Sequence, residues 1–545
     1  MHRPRGSRRL GSSFFAALVV VALVAAACGG SSSSSAGGGT TGGTSKPASG
    51  TPQPGGTITY GLEAETDNGF CLSSANLTAA GTQVVQAVYD TLAAPNDKGE
   101  MVPYLAKSIT PSTDYKTWTI GLRPGVLFHD GTALDAAAVK LNLDAYRKGG
   151  LFGFVFSNIA DTAVFDPMTV KVTTKVPWVA FPYFLYLTGR VGMMAPAQIN
   201  SKDHCGDQLI GTGPFTFKDW VVKDHLTVTK NTKYWRPGLP YLDSIIFKPI
   251  DDASTRINAL KGGQLDILQT NSPEQITDLR NLVKSGQLAM VENAKNPELS
   301  YDMMNTSQAP FDDITARQAV VLATDRAELN TIINRGLNTI ADQPFGPDVL
   351  GYVSDPGYPK FDLTAAKAKA DEYKAKHGGQ FKVEVSTTID AANAREAQLL
   401  KSQWAKAGID VTIKQVDQST LVSNALTKKF QISLWRNHPG SDPDTQYVWW
   451  HSGSPVNFNQ FKDPTVDQIL DSGRSEPDPA KRKTIYEGLS KALDAGYYNI
   501  WKWYAIWVFP SKPNVHGVTG PDLPDGGRPG ITTSAHPLVG IWLSK

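Results

Sequence analysis

Few residue groupings in this chain could make or break bonds. Phe128-His129-Asp130-Gly131 sets an imidazole beside a carboxylate, the pairing that general acid–base chemistry uses. Neighbours on a strand point to opposite faces, however, so His129 and Asp130 converge poorly, and Asp130-Gly131 reads as a turn closing a strand. No Gly-x-Ser-x-Gly elbow, His-Glu-x-x-His helix or Gly-x4-Gly-Lys-Ser/Thr loop occurs, and the nine histidines are scattered without ligand spacing. Gly37, Gly39 and Gly42 satisfy Gly-x-Gly-x-x-Gly, but no strand precedes them and no helix follows, so the dinucleotide reading fails. After Cys28 only Cys71 and Cys205 remain. They form no Cys-x-x-Cys or Cys/His cluster, which argues against zinc. Neither catalysis, a resident metal nor a cofactor is expected.

The rest of the chain reads as an exported binding body. Its 545 residues exceed one core and suggest three or four folding units. Hydrophobic residues at 41% against 19% charged allow a globular core rather than disorder. Lys and Arg exceed Asp and Glu by only 2, and Arg3, Arg5, Arg8 and Arg9 lie in the first 27 residues. The near-neutral remainder lacks the concentrated basic surface that nucleic acid requires. A basic start, an apolar run from Phe14 to Ala27 and small residues before Cys28 read as a secretory signal over 1–27, since the run falls short of the roughly 20 residues that span a bilayer. Leu23-Val24-Ala25-Ala26-Ala27-Cys28 resembles the lipobox of bacterial lipoproteins, which implies lipidation of Cys28 and a membrane anchor. An ordinary cleaved signal is the alternative. Residues 29–55 are almost entirely Gly, Ser, Thr, Ala and Pro and read, with Cys28, as a tether over 28–55 that spans roughly 30 Å as a random coil. An exported compartment favours pairing Cys71 with Cys205 over two buried thiols.

Local patterns place the elements. Gly56 to Gly61 alternates as a first strand, and Trp118, Ile120 and Leu122 do likewise. Asp135 caps a helix carrying Val139, Leu143 and Tyr146; Asp312-Asp313 opens one running through Ala316–Arg326; Asp478-Pro479 opens another that Gly496 stops. From Phe361 to Val416 the order helix, strand, helix, strand gives a βαβ rhythm and hence an α/β lobe. Trp501, Trp503, Ala505 and Trp507 share one side of a strand, with core as the default. The Pro- and Gly-rich stretch from Pro510 to Pro537 is expected to wrap over the surface.

An ordered set of motifs runs from Gly56 to about Trp507. It comprises Pro103-x-Leu105-Ala106-x-Ser108, Trp118-Thr119 with Leu122-Arg123-Pro124-Gly125-Val126-x-Phe128-His129-Asp130-Gly131-Thr132, Gly211-Thr-Gly-Pro-Phe215, Tyr234-Trp235-Arg236-Pro237-Gly238, Asn305-Thr306, Pro310-Phe311-Asp312-Asp313 and Asp442-Pro443-Asp444. The set resembles the bacterial extracellular solute-binding proteins of family 5, the oligopeptide, dipeptide and nickel group serving ABC importers. The resemblance implies an α/β periplasmic-binding-protein clamshell of two lobes. Lobe one would take 56–300 completed by 511–545, with an extra subdomain inserted at about 92–208. Lobe two would take 301–510, with crossings near Asn305 and Phe509. It also implies a monomer that captures a peptide or peptide-like solute and delivers it to permease subunits. A sugar, nickel chelate or haem ligand, a sensory role, and more remotely an extracellular hydrolase are the alternatives.

Ligand contacts follow from the same resemblance. Family members that bind peptides pair the free amine with an Asp after a Trp-Gly-like stretch. Here the matching stretch is Trp435-Arg436-Asn437-His438-Pro439-Gly440-Ser441-Asp442, with His438 or Pro439 where that Asp is expected. Asp442 is either the amine's partner, since a buried ammonium needs one, or a cap before Pro443. Trp435 is either a pocket wall or core, and Arg436 could receive a ligand carboxylate. On lobe one, Glu63, Glu65 and Asn68 follow the first strand, where the family contributes cleft contacts.

Overall fold

Thr57–Leu62 forms the first strand, as its alternation predicts, and pairs in parallel with Ser244–Pro249. The structure is a computed structural model describing residues 50–66, 69–75, 77, 79–150, 152–201, 204–437, 440–532 and 535–545. The signal, Cys28 and most of the tether, together with Asn68 and His438, lie outside the described residues.

The architecture is a mixed α/β clamshell of two lobes. One large sheet of 11 strands runs from Asp410–Val416 at one edge to Phe215–Val221 at the other. Its centre is two long antiparallel strands, Ala289–Met304 and Asn499–Ser511. One end of this pair joins Ile267–Leu268 and the first strand, and the other end joins Ile432–Asn437. The pairing breaks register between Asn293/Trp507 and Glu298/Ala505. Asn305 sits beyond that break: its side chain donates to the carbonyls of Lys428 and Phe430 within lobe two. A separate antiparallel sheet, Ala106–Pro111, Thr117–Leu122, Thr169–Thr174 and Ile159–Asp166, is inserted after the first strand.

Capping sets the helix starts. Asp135, Asp313, Asp390 and Asp478 each accept from backbone N–H groups of the first turn, satisfying donors that the helix cannot. The helix expected across Ala316–Arg326 is two, Ile314–Ala323 and Arg326–Asn334. Thr324 is extended between them and takes the Trp404 indole N–H on its hydroxyl, while Asp325 caps the second helix. Lobe two's βαβ order appears as Leu363–Lys376, Lys382–Thr388, Ala391–Lys406 and Asp410–Val416. The strand carrying Trp501, Trp503 and Trp507 is buried along nearly its whole length, so both faces are core.

The C-terminal stretch lies largely at the surface, as expected, with His536 as a buried anchor. His536 is fully buried; its Nε2 accepts from the Tyr60 hydroxyl at 3.0 Å, and its backbone exchanges two bonds with the Gln83 amide. Burial lowers the His536 pKa to about 4. Protonating it costs folding free energy, so its share of stability is lost as pH falls from about 6.5 towards 4.

Cys71 and Cys205 are joined in a disulfide, with Cα atoms 4.9 Å apart and a sequence separation of 134. Closing a loop of that length restrains the unfolded chain, and its removal is expected to cost about 2–5 kcal/mol. Urea denaturation of Cys71→Ala/Cys205→Ala checks this; an unchanged midpoint would contradict it.

Candidate functional site

Glu63 stands just past the C-terminal end of the first strand, where open α/β sheets present ligand groups. Arg436 projects from Ile432–Asn437 in lobe two, opposite Ser300 in the register. The structure brings these two sequence-picked residues together: Arg436 Nη2 lies 3.5 Å from Glu63 Oε1. Arg436 Nη1 also lies 3.2 Å from Glu298 Oε2, the first paired residue after the register break. Glu298 further accepts from Asn271 Nδ2 at 3.0 Å and Trp507 Nε1 at 3.2 Å, and the Arg436 guanidinium sits 5.9 Å from the Trp507 ring.

The charges there are tuned by burial. Burial raises the Glu298 pKa to about 7; Arg436 opposes the rise and Glu63 adds to it. Burial alone would pull Arg436 down, but the Glu298 and Glu63 carboxylates outweigh it and hold its pKa above the ordinary value. A group that ties one lobe, the crossing strand and the other lobe through charges can exchange those contacts for a polar guest's.

The other expected contacts fare differently. Trp435 is half-buried and meets Phe458 edge-on at 5.5 Å, so it is part wall and part packing. Asn437 is buried and donates to Gln446 Oε1. Asp442 is not beside Arg436: its two oxygens each take an N–H of Arg482 at 2.6 Å, and one caps the turn at Asp444. Its charge is matched by the Arg482 guanidinium. Glu65 accepts from the backbone N–H of Lys223. His129 holds the Gly211–Phe215 motif, with Nε2 3.0 Å from Gly213 O and Nδ1 accepting from Gly211 N. That glycine pair is needed because a Cβ at Gly211 or Gly213 would strike the Val88 backbone at under 2.5 Å.

Several interlobe contacts left no mark in the sequence. Trp178 of the inserted sheet region donates its indole N–H to Asp444 Oδ2 at 2.7 Å, and Asp444 also takes Arg474 Nε at 2.9 Å. The Arg474 guanidinium lies 5.0 Å from the Trp178 ring and 3.5 Å from that of Tyr447. Arg395 and Glu274 pair across the far side at 2.9 Å. Between the lobes a small cavity of about 30 Å³ is lined by Tyr183, Thr188, Ser441, Thr445 and Thr532. A larger one of about 80 Å³, with Asp90, Tyr104 and Arg236 in its wall, adjoins it through Pro95 and Tyr186. Among the described residues no group of three or more His, Cys, Asp or Glu is placed to hold a metal ion, and no helix is long and apolar enough to cross a membrane.

Residues 100–459 match the family described as bacterial extracellular solute-binding proteins, family 5 Middle. The chain is 30% identical over 446 residues to the glutathione-binding protein GsiB of Pectobacterium atrosepticum, covering 78% of this chain and 83% of that one. Its structure resembles that of DppA, an ABC transporter-associated periplasmic binding protein from Helicobacter pylori in complex with the peptide STSA. The TM-score is 0.80 at 22% identity, over 90% of this chain and 99% of that one. It also resembles AgaA from A. tumefacien R10 in complex with agropinic acid, with a TM-score of 0.81 at 25% identity over 90% and 99% of the two chains. The matched family model and the GsiB relative show that this chain belongs to the family 5 extracellular solute-binding proteins of ABC importers.

Proposed function

We propose that the protein captures a peptide or peptide-like solute between its lobes and hands it to a membrane permease, held at the membrane by a lipid on Cys28. The observation that carries this reading is the Glu63–Arg436–Glu298 group, which spans both lobes and the strand between them. Polar side chains at such a junction fix a ligand's orientation while the lobes exclude water. Lobe one takes 56–300 and 511–545 with the inserted subdomain at about 92–208, and lobe two takes 301–510. The register break near Asn293–Glu298 and Ala505–Trp507 serves as the hinge. Trp435, Arg436, Asn437 and Glu63 contact or back the ligand. Relatives that bind glutathione, a peptide and agropinic acid support a small polar solute.

Isothermal titration of the full chain with a pool of di- to tetrapeptides and with glutathione is expected to give micromolar or tighter 1:1 binding, and Arg436→Ala to weaken it by about 10-fold or more. Heat from neither probe, with no ligand-dependent protection from proteolysis, would contradict it. Labelling with radioactive palmitate in an expressing cell tests the anchor: Cys28→Ala should abolish incorporation.

A further inference from the structure

Arg190 is a guanidinium with little to hold. It follows Leu187-Thr188-Gly189, three successive residues at positive φ of 41°, 56° and 85°. L side chains seldom adopt that conformation, and where it persists in a non-glycine residue the surroundings impose it, commonly at ligand sites. Glycine suits 189, whose φ of 85° strains any L side chain. The run places Leu187 and Thr188 in the wall of the interlobe cavity, opposite Ser441 and Thr445 of lobe two.

The Arg190 side chain lies against this wall. Nη1 donates to the hydroxyl of Thr188, and no carboxylate among the described residues forms an ion pair with it. Glu298 and Tyr186 are the groups whose charges it senses, while burial draws its pKa down to about 10. Glu298 is itself engaged by Arg436, Asn271 and Trp507. A half-buried guanidinium keeps most of its N–H donors for an anion, and a planar carboxylate is the acceptor that matches its fork.

We propose that Arg190 is the anion receptor of the interlobe site, so that the captured solute carries a carboxylate that Arg190 binds. This rests on solute capture between the lobes as proposed above. The hydroxyl of Ser441 in the same wall can supply a further donor, whereas Thr188 and Thr445 donate to the carbonyls of Leu187 and Asp442. Charge selection thus comes from the inserted subdomain, not from lobe two alone.

The test is isothermal titration of the full chain, wild type, Arg190→Gln and Arg190→Lys, with three probes: free-acid di- to tetrapeptides, the same peptides as C-terminal amides, and neutral disaccharides. Wild type is expected to prefer free acids, Arg190→Gln to weaken them by about 10- to 100-fold and to lose the preference, and Arg190→Lys to retain part of it. Thermal melting of both variants reports whether the left-handed run still folds, and the charge-retaining lysine keeps the comparison valid if glutamine disturbs it. Equal binding of acids and amides by wild type, or an acid preference untouched in both variants, overturns the anion receptor and leaves solute capture standing. Silence from all three probes in wild type counts against capture of these solutes, and the receptor falls with it.

Discussion

Lys502→Met is expected to cost about 3–5 kcal/mol of folding stability at neutral pH, the largest stability loss from any single change argued here. Lys502 is 1% exposed, within a strand buried on both faces. Its ammonium lies 2.7 Å from Asp302 and in short contact with Glu396, both buried. Burial pushes both acids up, Glu396 to about 7, while Lys502 opposes the rise. Burial also works against the lysine's own charge, but the two carboxylates more than restore it. Removing the cation leaves two carboxyls facing each other without a counter-charge, and their folded-state pKa values climb further. A carboxyl raised in the folded state stabilises while protonated and loses that contribution as pH rises from the ordinary value of about 4.5 through the raised one. The penalty of Lys502→Met is therefore small at pH 5 and grows towards pH 8. Urea denaturation at both pH values reads it; a loss under about 1 kcal/mol that is the same at both would show the triad contributes nothing.

Trp178→Ala is expected to loosen the closed arrangement and weaken solute binding by as much as about 100-fold. Trp178 and Asp444 are fully buried and Arg474 is 3% exposed, yet Trp178 belongs to the inserted region and the other two to lobe two. Parting the lobes must break the indole–carboxylate bond, the backbone bond from Val179 N to Arg474 O at 3.0 Å, and the stacking of Arg474 on the indole. A hydrogen bond to a charged group contributes about 1.5–3 kcal/mol and a desolvated cation–π contact about 2. Because such terms do not add fully, roughly 3 kcal/mol is a fair sum, or about two decades in affinity. Trp178→Phe keeps the ring and loses only the N–H, so about 10-fold is expected. Small-angle scattering should show a larger radius of gyration for Trp178→Ala without ligand. Unchanged affinity together with an unchanged radius would mean the clasp is incidental to closure.

The parts of this molecule legible in the sequence are those governed by local chemistry. Aspartates at 135, 313 and 478 announce helix starts because capping is decided within three residues. Glu63 is found by its place after a strand, and Arg436 by the stretch it sits in. For Asp442 the sequence gives the charge but not the partner, since Arg482 stands 40 positions away. Trp178 and Asp444 are separated by 266 positions, so nothing near either residue marks their contact. Glu298 shares its strand with two other acids, Glu292 and Asp302, so nothing in the local sequence singles it out. The split at Thr324 turns on a tertiary bond from Trp404, which no periodicity records.

Native mass spectrometry of the full chain, incubated with mixed free-acid di- to tetrapeptides and passed over a desalting column, puts the two-lobed trap to its most direct test. A single adduct of one small solute per chain, ejected chemically unchanged on activation and absent from Arg436→Ala/Glu63→Ala, is predicted. Adducts that survive both substitutions, or that arrive without a fixed stoichiometry, would place binding somewhere other than between the lobes.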